Sequence, residues 1–141
     1  MLFRSHDVFS LQRRAVRIVA GLAYVADCRS AFRSQKILTF PSLYIYNCLV
    51  YAKINESAMK SNGEYHEYHT RNKDKLCPLN IRLTRSKTAS RYYSIKFYNV
   101  LPYEIKKLSL KLFKIHVKSL LLEMAVYDTN EYLEYFKACK V

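Results

Sequence analysis

Glycine and proline are scarce in this chain: two glycines and three prolines occur among 141 residues, of which 50% are hydrophobic. Disordered and low-complexity chains are usually rich in those two residues or poor in apolar ones, so the composition predicts a folded chain. Two glycines are also too few for the glycine-rich loop with which many enzymes hold the phosphates of a nucleotide. The scarcity therefore excludes that class of nucleotide-binding enzyme.

Long apolar runs are missing as well. No uninterrupted run approaches the roughly 18 to 20 residues of a transmembrane helix, and the opening sequence "MLFRSHDVFSLQRR" has no apolar signal-peptide core before its charges. We therefore expect no membrane partner and an intracellular location, nuclear or cytoplasmic. The cysteines form no CxxC pair and are expected to be reduced and mostly buried. They are Cys28, Cys48, Cys77 and Cys139.

Patterns of catalytic residues are also lacking. Metal-dependent phosphoryl transfer needs carboxylates that converge on a metal ion, but the aspartates are isolated in the sequence. They are Asp7, Asp27, Asp74 and Asp128. No serine lies in a GxSxG elbow, and no cysteine has a local catalytic signature. His66 and His69 are one closely spaced pair of metal ligands, whereas structural zinc sites usually bring two such pairs. The sequence predicts no enzymatic activity of its own, no metal and no other cofactor.

Positive charge dominates what is present: 24 Lys and Arg residues outnumber 11 Asp and Glu residues, for a formal net charge of +13. Such an excess attracts polyanions, and nucleic acid is the leading candidate over an anionic membrane or an acidic protein. The alternatives are an ordinary basic surface and a piece separated from an acidic partner domain.

Aromatic residues are the second abundant group, with 13 tyrosines and 7 phenylalanines. They could stack unpaired bases while cations hold phosphates. Their regular apolar spacing instead predicts that most of them lie in the core. The tyrosines expected at the surface are Tyr65, Tyr68, Tyr92 and Tyr98.

Residues 1–54 are predicted to form the N-terminal helices of a bundle. In "LQRRAVRIVAGL" an apolar face recurs at helical spacing up to Gly21, a common kind of helix end. This face consists of Leu11, Ala15, Ile18, Val19 and Leu22, and the opposite face of Arg13, Arg14 and Arg17. In "DCRSAFRSQKIL" Asp27 can cap a second helix. Its basic side consists of Arg29, Arg33 and Lys36.

The middle of the chain is predicted to change from helix to loop to extended segment. "FPSLYIYNCLVYAKIN" is apolar around most of its circumference and has Pro41 in its first turn, which predicts a central helix. Residues 55–80 are polar without a period and predict a long loop. In residues 81–101, "YYSIKFYNVLP" alternates with period two. Its predicted inward residues are Tyr93, Ile95 and Phe97, and its outward residues are Tyr92, Lys96 and Tyr98. It is expected either to form a hairpin with Asn80–Ser86 or to lie extended across the helices.

Residues 102–141 are predicted to form the C-terminal helices. Pro102 opens a short helical turn, and Ser109 can cap the longest helix, Leu110–Met124. Its apolar face consists of Leu110, Phe113, Val117, Leu120, Leu121 and Met124, and its basic face of Lys111, Lys114 and Lys118. A last helix starts after Asp128 or Thr129. The predicted fold is mainly α: one domain, a small helical bundle with a long polar loop and one or two short extended segments.

Several of these stretches, taken in order, resemble a known family. "LQRRAVRIVAGL", "CRSAF", "ILTFPSLYIYNCLVYAK", "YHTRNKDKL", "YYSIKFYNVLPYEIK" and "FKIHVKSLLLEMAVYDTNEYL" are similar to the C-terminal region of reverse transcriptases from jockey-type non-LTR retrotransposons. The resemblance extends from about Leu11 to Leu133. The matched positions are Arg13, Arg14, Arg17, Arg71, Asn99, Leu101 and Pro102.

The resemblance implies a fragment of an RNA-directed DNA polymerase from a mobile element, in which an endonuclease and a polymerase precede this region. The paired aspartates of the polymerase are absent here, so the resemblance does not bring activity with it. Also absent is the Cys and His cluster that some related elements carry near their C-terminus. We therefore expect a noncatalytic accessory region that binds template RNA or target DNA, beside the remainder of the polypeptide. The alternative is a packing module for the polymerase thumb that binds no nucleic acid.

Basic helix faces are the predicted site of nucleic-acid binding. The candidate residues are Arg13, Arg14, Arg17, Arg29, Arg33, Lys36, Arg71, Lys96, Lys111, Lys114 and Lys118.

Overall fold

Helices dominate the computed structural model, which describes residues 2–65, 73–77 and 90–138. The prediction of a mainly α fold, a small helical bundle, is confirmed. In chain order the α-helices are α1 Leu2–Val19, α2 Arg29–Ser34, α3 Phe40–Ile54, α4 Asn62–Tyr65, α5 Ser90–Val100, α6 Tyr103–Lys106, α7 Leu110–Met124 and α8 Thr129–Ala138. A 3-10 turn spans Glu56–Ala58, and Ser61 forms an isolated antiparallel bridge with Leu76.

Two compact units share these helices. Unit 1 comprises Met1–Tyr46 and Ile115–Val141, and unit 2 comprises Asn47–Lys114. The division falls within α3 and within α7, so each of these helices contributes residues to both units.

Three aromatic rings form the centre of unit 1. The ring centroids of Phe9 and Tyr127 lie 5.1 Å apart, and those of Phe32 lie 6.5 Å from Phe9 and 6.4 Å from Tyr127. Cys28 and Ala31 of the α2 region and Ala125 after α7 are buried against them. Burial of aromatic rings provides a large part of the stabilisation in a small core, so this cluster holds α1, α2 and the end of α7 together.

The orientation of α1 is opposite to the predicted one. Its predicted apolar face is exposed, with Leu11 62%, Val19 72% and Ile18 80% accessible, while Phe9 and Val16 point inward. The polar side chain of Gln12 also lies on this inward face, where it forms hydrogen bonds with backbone groups. The Gln12 amide donates to Leu38 O at 2.9 Å and accepts from Phe40 N at 2.8 Å. The helix ends before Gly21, as predicted, where φ is +64°.

The extended segment predicted around Tyr92 to Tyr98 is wrong, because these residues belong to α5. Its buried residues are Ser94, Ile95, Phe97 and Tyr98, which lie on one face of the helix. Because Ser94 is polar, this helical pattern is not visible from the apolar residues alone. The Ser94 hydroxyl donates to Ser90 O at 2.7 Å, so its burial leaves no polar group without a partner. Tyr98 is 1% accessible and is not the surface residue that was predicted. The hairpin partner proposed for this segment, Asn80–Ser86, lies outside the described residues.

Most other predicted elements agree with the structure. The helix predicted over Leu110–Met124 is α7, with Phe113, Val117 and Leu121 buried on its apolar face. Pro102 precedes α6, and Asp128 precedes α8. Helix α3 has Pro41 in its first turn as predicted, but it is not the fully surrounded central helix that was expected: Ile45 and Leu49 are buried on one face, whereas Leu43 and Tyr51 are exposed on the other. The loop predicted over residues 55–80 contains the 3-10 turn and α4 within the part that is described.

Three tyrosines have a pKa above the ordinary value: Tyr98 and Tyr132 are buried, and Tyr127 is half-buried. Burial raises the pKa of Tyr98, with the Glu56 carboxylate adding to the effect, and burial alone raises the pKa of Tyr132. Burial also raises the pKa of Tyr127, whose hydroxyl lies 3.2 Å from Cys28 Sγ and donates to Asp27 Oδ1 at 3.1 Å. In each case the folded environment disfavours the tyrosinate.

Candidate nucleic-acid interface

A basic cleft of about 530 Å³ lies in unit 1, between the end of α2 and the adjoining part of α7. Arg33 and Lys36 line it from the α2 side. The α7 side consists of Ile115, Lys118, Ser119, Leu122 and Glu123. The cleft thus brings together three residues that the sequence had predicted as nucleic-acid contacts.

Lys36 reaches this cleft from an unusual backbone position. It does not continue α2 as predicted, because the helix ends at Ser34 and Lys36 has a left-handed φ of +54°. Lys36 N donates to Arg33 O at 3.1 Å and Ile37 N donates to Phe32 O at 2.9 Å, which is the Schellman pattern of helix ends. Glycine usually occupies this position because a Cβ atom is strained there. A lysine at a glycine position therefore carries a local energetic penalty.

The cations of the cleft lack carboxylate partners within the described ranges. Among the described residues, the ion pairs join His6 to Asp7, Arg29 to Glu131 and Lys53 to Glu56. Arg33, Lys36 and Lys118 are exposed and belong to none of these pairs. Glu123 is the one carboxylate in the lining, so three positive charges meet one negative charge. This imbalance favours an anionic ligand.

Apolar side chains form the rest of the lining. The apolar side chain of Ile115 is 60% accessible, and Leu122, two turns later on α7, is half-buried. Residues three, four and seven apart lie on one face of a helix, so Ile115, Lys118 and Leu122 present their side chains together. The cleft therefore offers both an apolar contact and fixed positive charge.

Three of the residues predicted to bind nucleic acid instead form contacts within unit 1. The guanidinium carbon of Arg13 lies 5.0 Å from the Phe9 ring centroid and 5.8 Å from that of Tyr127. Arg17 Nε donates to Ala26 O at 2.8 Å. These contacts point Arg13 and Arg17 toward the protein, because the side of α1 that carries them is the inner one. Their role in the folded unit is packing and backbone hydrogen bonding.

Arg29 is the third of these residues. It donates to both carboxylate oxygens of Glu131, at 2.9 and 3.2 Å, and its guanidinium carbon lies 4.2 Å from the Tyr127 ring centroid. The hydrogen bond to Glu131 raises the pKa of Arg29 further above its already high value. Asp27 was predicted to cap α2, but the N-cap position is Cys28; Asp27 Oδ1 nevertheless accepts from Arg29 N at 3.3 Å.

The remaining predicted cations are not part of the cleft lining. Arg14 is exposed on α1, while Lys96 and Lys111 are exposed and Lys114 is half-buried in unit 2. Lys96 Nζ lies 5.9 Å from the ring centroid of Tyr93, one turn earlier on α5. Arg71 and Tyr68 lie outside the described residues, as do His66 and His69.

Two polar residues of the cleft lining, Ser119 and Glu123, were not predicted from the sequence. Ser119 and Glu123 are one turn apart on α7, next to Lys118, so the predicted helix contained a signal for them. The contact between α7 and the end of α2 could not be predicted from the sequence of either segment alone.

Asn99, one of the matched positions of the family resemblance, has a structural role in unit 2. Its Oδ1 accepts from Leu76 N at 2.9 Å, and its Nδ2 donates to Leu76 O at 2.9 Å. The amide thus satisfies both backbone groups of a buried residue. Asn99 fixes the segment 73–77 against α5 and does not contact the cleft.

Comparisons with known proteins yield no relative: no protein-family model, curated protein or solved structure matches the chain. Across the described ranges, no helix is long and apolar enough to cross a membrane. No cluster of three or more potential metal ligands occurs among the same residues.

Proposed function

We propose that this chain is a noncatalytic nucleic-acid-binding region, an accessory part of a retrotransposon reverse transcriptase, and that the basic cleft is its main contact with RNA or DNA. The observation that carries the proposal is the meeting of Arg33, Lys36 and Lys118 in one cleft without carboxylate partners among the described residues. The resemblance to the C-terminal region of jockey-type reverse transcriptases supports the same assignment.

Phosphate is the ligand that suits this set of groups. The Arg33 guanidinium can donate two parallel hydrogen bonds to a phosphate, and the ammonium groups of Lys36 and Lys118 add compact positive charges. Ser119 offers a neutral hydroxyl donor beside them. The overall charge of +13 attracts a polyanion over longer distances. Binding by these groups releases counterions from the nucleic acid and is therefore sensitive to salt.

Fluorescence anisotropy with labelled RNA and DNA tests this proposal. The logarithm of the association constant is expected to fall linearly with the logarithm of salt concentration, by about 0.7 per phosphate contact on a single strand and about 0.9 on duplex DNA. The double variant Arg33→Gln with Lys118→Gln is expected to lower the affinity and to reduce the single-strand slope by about 1.4.

The control variant is Lys107→Gln with Lys137→Gln, which removes the same charge at exposed positions outside the cleft. It is expected to change affinity and slope much less than the cleft variant. Equal losses in the two variants would show that charge is spread over the surface and that the cleft has no special role. No binding at low salt would refute the proposal altogether.

The exposed face of α1 favours a second candidate function, a packing module for an apolar surface of the polymerase thumb. Val8 is 47% accessible, and Leu11 and Ile18 continue the same helical face. Such a contiguous exposed face marks a surface for association. The isolated chain is then expected to self-associate with rising concentration in sedimentation velocity, and Leu11→Ser with Ile18→Ser to abolish this. Val25→Ser, at an exposed loop position, is the control. A monomer with a cooperative melt would count against this candidate.

A further inference from the structure

The cleft contains more than a phosphate site requires. Its α7 wall includes two apolar side chains, Ile115 and Leu122, and one carboxylate, Glu123. An apolar wall adds nothing to a phosphate contact, and a carboxylate opposes one. The cleft is open to solvent, and its volume of about 530 Å³ is large enough for one nucleotide to lie in it.

We infer that the cleft binds one unpaired nucleotide, with its base against Ile115 and Leu122 and its flanking phosphates on Arg33, Lys36 and Lys118. This inference rests on the proposed function and adds the form of nucleic acid that the site takes. Removing the flat face of an unpaired base from water is favourable, and the aliphatic side chains of Ile115 and Leu122 supply an apolar surface for it. The three cations then hold the strand on either side of the base.

Glu123 selects the base in this arrangement. An ionised carboxylate only accepts hydrogen bonds, so it pairs with N–H groups on the Watson–Crick edge of a base. Guanine offers two adjacent N–H donors there, which match the two carboxylate oxygens. Uracil offers one, between two carbonyl oxygens that repel the carboxylate. In a duplex these donors are already paired. The cleft is therefore expected to prefer single strands over duplex and guanine over uracil.

Competition binding with a uridine tract that carries one guanosine tests the inference. This oligonucleotide is expected to bind about tenfold more tightly than the plain uridine tract, as is typical of a good bidentate contact to a base. Inosine in place of the guanosine lacks the amino group and is expected to lose most of the gain. Glu123→Gln is expected to abolish the preference for guanosine.

The matched control is Glu134→Gln, which removes a carboxylate at an exposed position on α8 outside the cleft. Both variants lose one negative charge and so gain the same general affinity for phosphates. The control is expected to keep the preference for guanosine, which separates base contact from net charge. Circular dichroism melts check that both variants fold.

The outcomes separate the two proposals. Salt-dependent binding without any preference between the two tracts, or equal affinity for single strand and duplex, would overturn the nucleotide site and leave the proposed function intact. Equal competition by a polyglutamate of matched charge would also overturn it, because any polyanion would then suffice. No binding to any nucleic acid would refute both proposals.

Discussion

Replacing Lys36 by glycine is expected to weaken nucleic-acid binding without lowering the stability of the fold. Lys36 sits at the end of α2 with φ at +54°, and its side chain lines the basic cleft. Glycine fits the left-handed backbone without the strain of a Cβ atom. The same change removes one of the three cations that face the cleft. A residue that only maintained the fold would not show this combination.

The two effects have definite sizes. A side chain in the left-handed region is disfavoured by roughly 1 to 2 kcal/mol, and glycine gives back about 0.4 to 1 kcal/mol through the greater freedom of the unfolded chain. We therefore expect Lys36→Gly to leave the free energy of unfolding unchanged or to raise it by up to about 1.6 kcal/mol. Loss of one phosphate contact is expected to lower the salt slope on a single strand by about 0.7.

Urea unfolding and anisotropy on the same preparations measure both quantities. Lys36→Arg keeps the charge and the strained backbone, and it is expected to bind as the unmodified chain does. Lys36→Asn tolerates the left-handed backbone without the charge, and it is expected to behave like the glycine variant. Unchanged affinity in Lys36→Gly would show that Lys36 does not contact nucleic acid. A loss of stability greater than about 1 kcal/mol would refute the assigned backbone geometry.

Two further predictions concern the fold. Asn99→Ala is expected to destabilise unit 2 by about 2 to 3 kcal/mol in urea unfolding, because both backbone groups of the buried Leu76 lose their partner. The control Asn55→Ala loses one exposed hydrogen bond to Tyr51 O and is expected to cost less than about 1 kcal/mol, so equal losses would contradict the role of Asn99. Stability is also expected to be full below about pH 10, the ordinary tyrosine value, and to fall as pH rises above it, by up to about 1.4 kcal/mol per pH unit for each tyrosine with a raised pKa. Unfolding curves at rising pH check this, and titration of all tyrosine absorbance in one step near pH 10 would contradict it. The tyrosines are Tyr98, Tyr127 and Tyr132.

Helical period alone predicted the elements whose buried residues are all apolar. Helix α7 buries Phe113, Val117 and Leu121, which follow each other at spacings of four, and its bounds agree with the prediction. Helix α5 was missed because Ser94 interrupts the same kind of pattern and because tyrosine and isoleucine favour strands. The hydrogen bond from Ser94 to its own helix makes its burial tolerable, and this is a property of the helix once formed.

The inner face of α1 could not be predicted from polarity. Apolar residues usually point inward, yet here Gln12 and Arg17 do so because Leu38, Phe40 and Ala26 need hydrogen-bond partners for their backbone groups. Those needs arise only when distant segments meet. The same holds for the cleft: its cations were predicted one by one, and their grouping depends on the contact between α2 and α7. Local sequence therefore identified the charges but not which of them remain free to bind.

The affinity of the unmodified chain for single-stranded RNA, measured across a range of salt concentrations, decides whether the basic cleft binds phosphates. A straight line in the double logarithmic plot is expected, with a slope of magnitude at least about 2, since each of the three cleft cations contributes about 0.7. A slope near zero, or no binding at the lowest salt concentration, would contradict it.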